Sequence, residues 1–242
     1  MTSSLSLKKR LSIGILIVFL LSLFFVPYIP SLRSGSIKKT SYMKQEEHPF
    51  SYSWIPLSNI SKNLQQAVVI AEDSRFYQHR GVDYEEMKHA FFRNVNRRSF
   101  SHGFSTITMQ VARNLYLSRD KYVWRKLAEI WIAWKMEYFL SKDRILEIYL
   151  NIAEWGKGIY GAEAAAHYYF KKTASDLTVS EAAFLASILP SPKKWGRFPP
   201  PRHVTKRMRF IERRLIAPLP TQELLESETV QEPSPQDLEN IY

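Results

Sequence analysis

Apolar positions recur at helical spacing over most of the chain. Leu64, Val68, Val69 and Ala71 lead into Glu72 and predict a first helix from about Asn59, with Gly81 as its stop. Asp83 is placed to cap a second helix through Phe91 and Phe92, and Ser105 to cap a third, STITMQVARNLY. Tyr122 to Leu140 is a long amphipathic segment carrying Trp124, Leu127, Ile130, Trp131, Trp134 and Phe139. Ser141 opens KDRILEIYLNI. After a Gly-rich connection, Ala162 to Phe170 and Thr178 to Leu189 predict two more helices, the second with a Thr178-x-x-Glu181 capping box. Pro190, Pro192 and Pro199 to Pro201 interrupt the pattern before the basic segment HVTKRMRFIERRLI. No alternating run of Val, Ile and Thr bounded by turn residues predicts a substantial sheet, so the domain reads as mainly α and ends near Ile216.

The pattern differs at both ends. Leu11 to Ile29 holds nineteen residues without a charge, about the length that crosses roughly 30 Å of hydrocarbon. Lys8, Lys9 and Arg10 precede it and orient the N-terminus toward the cytoplasm. A cleavable signal peptide is the rival reading, but the apolar run is long and VPYIP offers no small-x-small site, which favours an uncleaved anchor. The expected organisation is a cytoplasmic tip (1–10), a transmembrane anchor (11–29), a polar spacer without periodicity (30–56), a helical domain (57–216) and an acidic, disordered tail (217–242).

Charge sharpens this picture. The net charge of +11 is uneven, with 31 basic against 17 acidic residues between Ser31 and Arg214, and −6 beyond Leu215. A basic domain tethered beside a bilayer points to an anionic partner, whether lipid headgroups or phosphates. Nucleic acid is disfavoured because the domain is placed outside the cytoplasm. The absence of cysteine excludes a disulfide framework and leaves the compartment undecided.

Three groups carry candidate chemistry. Glu72 and Asp73 end a nearly apolar helix, where the dipole and partial burial would raise the proton affinity of a carboxylate and suit it to general acid or base work. A frayed surface pair, or a carboxylate bridged to Arg75 or Arg80, explains them equally well. Arg125 and Glu129 stand four apart on one helix face, with Lys126 turned about 100° away; an exposed ion pair is the simple alternative. The basic series Arg113, Lys121, Arg125 and Lys126 follows the hydroxyl-rich GFSTITMQ. That combination suits phosphate oxygens, and a solvated helix face is its plain rival.

Order and spacing decide among these readings. Glu72-Asp73-x-x-Phe76-x-x-His79-x-Gly81, then Gly103-x-Ser105-Thr106-Ile107-Thr108-x-Gln110, then Arg125-Lys126-x-x-Glu129, then Ile145-Leu146-Glu147-x-Tyr149-Leu150-Asn151 follow one another. Together they resemble glycosyltransferase family 51, the peptidoglycan glycosyltransferases, and within it the monofunctional biosynthetic transglycosylases of Gram-negative bacteria. The resemblance runs from about Leu57 to Arg214. It implies a lysozyme-like helical fold with a smaller jaw against the membrane, and a single-pass protein of the inner membrane with its catalytic domain on the periplasmic side. It also implies the reaction. Lipid II accepts through its GlcNAc 4-hydroxyl, the lipid-linked growing glycan is the donor, the anomeric carbon inverts, and undecaprenyl pyrophosphate leaves. By resemblance Glu72 is the general base, and Glu129, the family's second acidic residue and the other catalytic one, lies near the pyrophosphate to help hold a divalent cation or orient a basic side chain. Ser105, Thr106 and Gln110 line the donor cleft, Asp73 supports loop or base, and Arg113, Lys121, Arg125 and Lys126 meet the pyrophosphate. A divalent cation, Mg or Mn, is an implied cofactor with Glu129 to help hold it, although no metal ligand set is assigned. The wall-synthesis machinery is an implied partner.

The chain departs from the family pattern at Met109-Gln110, where two glutamines are usual, and at Arg113 and Lys121, where Lys then Arg is usual. Charge is kept there, but the planar fork of Arg and the point charge of Lys exchange places. Lys206-Arg207 stands for a pair of arginines and is expected to be structural. Two other functions remain in view: a lysozyme-like hydrolase, which would protonate the leaving oxygen of finished glycan, and a tethered cationic scaffold without catalysis. Ser191-x-x-Lys194 fits the transpeptidase S-x-x-K pattern, but no K-[ST]-G follows.

Overall fold

The computed structural model describes residues 27–96, 105–119 and 123–217, with residues 12 and 14 besides. The cytoplasmic tip, nearly all of the anchor, Lys121 and the acidic tail lie outside the described residues. Among those described, no helix is long and apolar enough to cross a membrane.

Ten helices and three short strands are described: α1 (Ser41–Lys44), β1 (Ser51–Tyr52), α2 (Lys62–Glu72), α3 (Tyr84–Asn96), α4 (Ile107–Tyr116), α5 (Val123–Phe139), α6 (Lys142–Ile152), β2 (Glu154–Gly156), β3 (Ile159–Tyr160), α7 (Ala162–Phe170), α8 (Val179–Ile188), α9 (Pro192–Trp195) and α10 (Arg202–Ile216). The mainly α expectation holds. Side chains cap the starts of the helices where the sequence offers them. Ser61, Ser141 and Thr178 accept from the first-turn amides of α2, α6 and α8, and Glu181 closes the box by reaching back to Thr178. Asp83 likewise accepts the Glu86 amide at 3.0 Å at the start of α3.

Two helices are central: α8 is apolar almost all round, and α6 is buried over its last two turns. α8 buries every residue from Ala182 to Ile188, and α6 buries Ile145, Leu146 and Ile148 to Ile152. α8 packs against α2 and α10, while α4 packs against α5 and α6. Trp155, Tyr149, Tyr160, Phe76 and Phe184 are the largest side chains fully enclosed. A second, small cluster of Val82, Met109 and Ala133 lies apart from this core. The strands form one sheet in the order β1-β3-β2, parallel between β1 and β3 and antiparallel between β3 and β2.

The segment read as a spacer is folded onto the domain. Ile29 and Met43 are fully buried, Thr40 caps α1, and β1 pairs with β3. Arg33 Nε donates to Phe139 O at 3.0 Å and Arg144 Nε to Leu32 O at 2.7 Å. Asn151 of α6 donates to Ile55 O and accepts from Ile55 N–H, both at 2.9 Å, and Glu147 accepts from Leu57 N–H at 3.0 Å. The docking combines these bonds to backbone groups with apolar side chains, Met43, Phe50, Tyr52 and Trp54 among them, that join the core without any helical or strand period.

Two turn expectations also change. Ser105 does not cap α4; Thr106 does, accepting from Met109 N–H at 3.2 Å. Gly81 does not end α2, which stops at Glu72. At φ +84° Gly81 brings its backbone so close to α5 that a Cβ would stand 3.2 Å from Ala133 C and O. Gly161 is tighter still, at φ +87° with Asn151 O 2.7 Å from any added Cβ. Gly161→Ala should cost about 2 kcal/mol or more from the left-handed backbone and the clash together. The expected readout is a thermal midpoint lowered by about 4 to 8 °C.

Candidate active site

Glu72 occupies the last turn of α2, where unpaired carbonyls disfavour added negative charge. Its side chain is 12% exposed and is gripped from two other helices. Gln110 Nε2 of α4 donates to Oε2 at 2.9 Å, and Arg207 of α10 donates to Oε1 at 3.2 Å and to Ala71 O at 3.0 Å. Burial pushes the Glu72 carboxyl above its ordinary value. The Gln110 bond and the charges of Arg207 and Arg113 offset part of that rise, and Asp73 adds to it. Tyr149 of α6 completes the enclosure, its hydroxyl donating to Gln110 Oε1 at 3.2 Å.

Asp73 is separated from its neighbour by the end of the helix. Its Oδ2 accepts from Ile107 N–H at 3.0 Å, at the positive end of α4, and its Oδ1 meets His79 Nε2 at 2.8 Å. Arg75 pairs with Asp83 at 3.4 Å, so neither half of the Glu-Asp pair is the bridge to Arg75 that the sequence allowed. Asp73, His79 and Asp83 bring their ligand atoms within 4.8 Å of one another. Each carboxylate there already holds a backbone N–H, and Arg75 supplies the cation, which accounts for the cluster as an anchor of the turn.

The second carboxylate lies on α5. Glu129 is 1% exposed, which excludes a solvated ion pair. Lys126 Nζ reaches Glu129 Oε2 at 3.1 Å and donates to Ser105 Oγ at 2.6 Å. Arg125 Nε lies 3.4 Å from Oε1, an ion-pair distance without a hydrogen bond, while its NH1 donates to Ser118 O and Arg119 O. Burial lowers the pKa of Lys126; the charge and hydrogen bond of Glu129 oppose that fall, and Arg113 and Arg125 reinforce it. The charge of Arg113 thus lowers the proton affinity of both Glu72 and Lys126.

A cleft of about 300 Å³ opens beside Glu72, lined by Glu72, Asp73, Arg75, Ser105 and Thr106 among others; Ser105, the partner of Lys126, ties it to the second group. Thr106 Oγ1 donates to Gly81 O at 2.6 Å as well as capping α4. Of the residues singled out in the sequence, Glu72 and Gln110 meet in one group and Ser105, Arg125, Lys126 and Glu129 in another, and Glu72 and Ser105 share the cleft. Asp73 and Thr106 are tied into the turn between. Two contributors escaped the sequence reading. Arg207, expected to be structural, touches Glu72; its signal was the spacing Val204, Arg207, Ile211, which places it on the buried face of α10. Tyr149 stands in the fourth motif, but nothing in the sequence gave its hydroxyl a role, because its partner Gln110 lies 39 residues away on another helix. Chemically, the arrangement offers a proton acceptor of raised affinity in the cleft and, through Ser105, a cationic group of Arg125 and Lys126 linked to the same cleft.

The family model described as Transglycosylase matches residues 39–215. Three curated relatives are named biosynthetic peptidoglycan transglycosylase. The one from Paraburkholderia xenovorans is 42% identical over 193 residues, 78% of this chain and 80% of its own. The one from Janthinobacterium sp. (strain Marseille) is 39% identical over 84% of this chain and 92% of its own, and the one from Methylobacillus flagellatus 38% over 82% and 87%. On this match, spanning the helices that carry Glu72, Glu129 and Arg207, the chain belongs to the transglycosylase family and is a peptidoglycan glycosyltransferase.

Proposed function

We propose that the enzyme polymerises lipid II, joining the GlcNAc 4-hydroxyl of lipid II to the anomeric carbon of a lipid-linked growing glycan. Glu72 takes the hydroxyl proton as the new C–O bond forms. The bond from the anomeric carbon to the pyrophosphate breaks with its electron pair, and Arg113, Arg125 and Lys126 stabilise the charge that leaves. Inversion follows when base and cationic patch address opposite faces of the sugar. Lys121, outside the described residues, is proposed for the same patch. The observation that carries this reading is the shared cleft: Glu72 lines it, and so does Ser105, which Lys126 holds.

Glu129 Oε1 is buried and accepts no hydrogen bond. A Mg²⁺ or Mn²⁺ that drew its remaining ligands from phosphates and water would fit there, supplying further charge neutralisation. Localisation at the inner membrane, by the segment 11–29, is part of the proposal. The outer face of α5 supports a jaw lying on the bilayer, because Trp124, Leu127, Trp134 and Tyr138 recur there at intervals of three, seven and four residues, which keeps them on one helix face, and are exposed. The wall-synthesis machinery is the proposed protein partner.

The test is incubation of the detergent-solubilised full chain with labelled lipid II and Mg²⁺, read on a gel. Lysozyme-sensitive polymer is expected. Release of soluble fragments from finished glycan, with no polymer, would favour the hydrolase; lipid binding without turnover would favour the scaffold. The rate should trace a bell against pH that is narrowed on both sides. Its acid limb lies above the ordinary carboxylate range because Glu72 must lose a proton its burial favours. Its alkaline limb lies below the ordinary lysine range because Lys126 gives up its charge early.

A further inference from the structure

Five charged or titratable side chains and one amide bear on the Glu72 carboxylate. Asp73 follows it in sequence, Gln110 and Arg113 face it from α4, Tyr149 from α6 and Arg207 from α10, with His79 behind Asp73. Only the amide has two faces of opposite character. Gln110 presents Nε2, a donor, to Glu72 Oε2 at 2.9 Å, while its Oε1 accepts from Tyr149 at 3.2 Å. Turned over, the amide would present a carbonyl oxygen to the carboxylate, and that contact is favourable only when Glu72 carries a proton.

We propose that Tyr149 is a positioning residue for the base: its hydroxyl fixes which way round the Gln110 amide stands, and so keeps a donor against the Glu72 carboxylate. Tyr149 is 1% exposed, and among the described residues its hydroxyl has Gln110 Oε1 as its partner. Inverting the amide would leave the buried O–H without an acceptor, which is costly. Burial, aided by the nearby charge of Glu72, also holds the phenol far above its ordinary pKa, so the proton that enforces the arrangement is present at every working pH. The ionised base is thereby favoured without a charge being spent on it. Arg207 alone would leave a single fixed donor on the carboxylate.

This inference rests on Glu72 being the general base, and the experiment separates the two. Polymerisation rates are measured against pH for the wild-type full chain and for Tyr149→Phe, Gln110→Leu and the double variant, with Glu72→Gln alongside and far-UV circular dichroism to check folding. Tyr149→Phe removes one oxygen and frees the amide to turn. Its acid limb should move up by about one pH unit, giving about a tenfold loss on that limb and near wild-type rate on the plateau. Gln110→Leu removes the donor from the other end and should move the limb the same way. In the double variant the Tyr149 change should add nothing, because no amide remains to turn.

A Tyr149→Phe limb that stays in place, a loss equal at all pH values, or shifts that add in the double variant would each overturn the proposal and leave Tyr149 a packing residue. An unmoved Gln110→Leu limb would overturn it independently of how the Phe variant folds. Substantial polymerisation by Glu72→Gln would instead defeat the base assignment itself.

Discussion

Replacing Glu72 with glutamine should abolish polymer formation, a loss of about 10²- to 10⁴-fold, the range supplied by a positioned base. The substitution keeps shape and nearly all packing. What it removes is the lone pair that can take a proton: an amide oxygen is far too weak a base to deprotonate an alcohol in flight. The donors from Gln110 and Arg207 both point at this side chain, and glutamine can satisfy one of them with oxygen while presenting NH2 to the other. Stability responds in the opposite direction. The Glu72 carboxyl is raised in the folded protein, so between its ordinary unfolded value and that raised value the folded state binds more protons. By linkage, stability falls as pH rises through this window and stays lower above it. At neutral pH the variant should therefore unfold at a temperature no lower than wild type, as expected where a site holds a group its surroundings disfavour. The paired measurement is polymer yield from lipid II and thermal unfolding of the same preparation. A folded variant that keeps more than a small fraction of the wild-type rate would remove Glu72 as the base.

Much of the architecture that places Glu72 is written locally. Each of α2, α6 and α8 begins at a hydroxyl side chain that the sequence puts just before an apolar run, and a cap acts within four residues of itself. Local signals fail where two suitable residues stand side by side. Ser105 and Thr106 can both cap α4, and the choice falls to Thr106 because Lys126, on another helix, takes the Ser105 oxygen. The segment 29–56 was opaque for a related reason. Its polar attachments run through backbone groups to Asn151, Glu147 and Arg144, and its apolar side chains enter the core at irregular intervals, so neither leaves a period to read. Glu72 could be recognised from its motif, but its restraint by Arg207 crosses 135 residues, and only the amphipathic register of α10 hinted at it. Glu129 shows the limit of spacing most clearly. An i,i+4 pair reads the same whether it lies in water or, as here, at 1% exposure.

That burial gives Glu129→Gln its expected result: a loss of about 10²-fold in polymerisation, with residual activity and with the pH profile altered on one side only. Glutamine keeps an acceptor for Lys126 but removes the charge. Of the influences on Lys126, burial and the cations Arg113 and Arg125 lower its pKa, and Glu129 alone among the principal ones raises it. Without that carboxylate the ammonium is held less firmly, so the alkaline limb should move to lower pH. The acid limb belongs to Glu72, on which the principal influences are burial and then Gln110, Arg207, Arg113 and Asp73, with Glu129 not among them, and should stay where it is. The two-sided comparison matters because the loss of rate alone has two sources: weakened charge stabilisation, or Lys126 and Ser105 displaced from the cleft. Displacement would cost activity evenly across pH, whereas lost charge support costs most where Lys126 titrates. Rates for wild type and variant from pH 5 to 10, at saturating lipid II, distinguish them. Unchanged kinetics throughout would make Glu129 a buried counter-ion that holds α5 to its neighbours and takes no part in departure of the pyrophosphate.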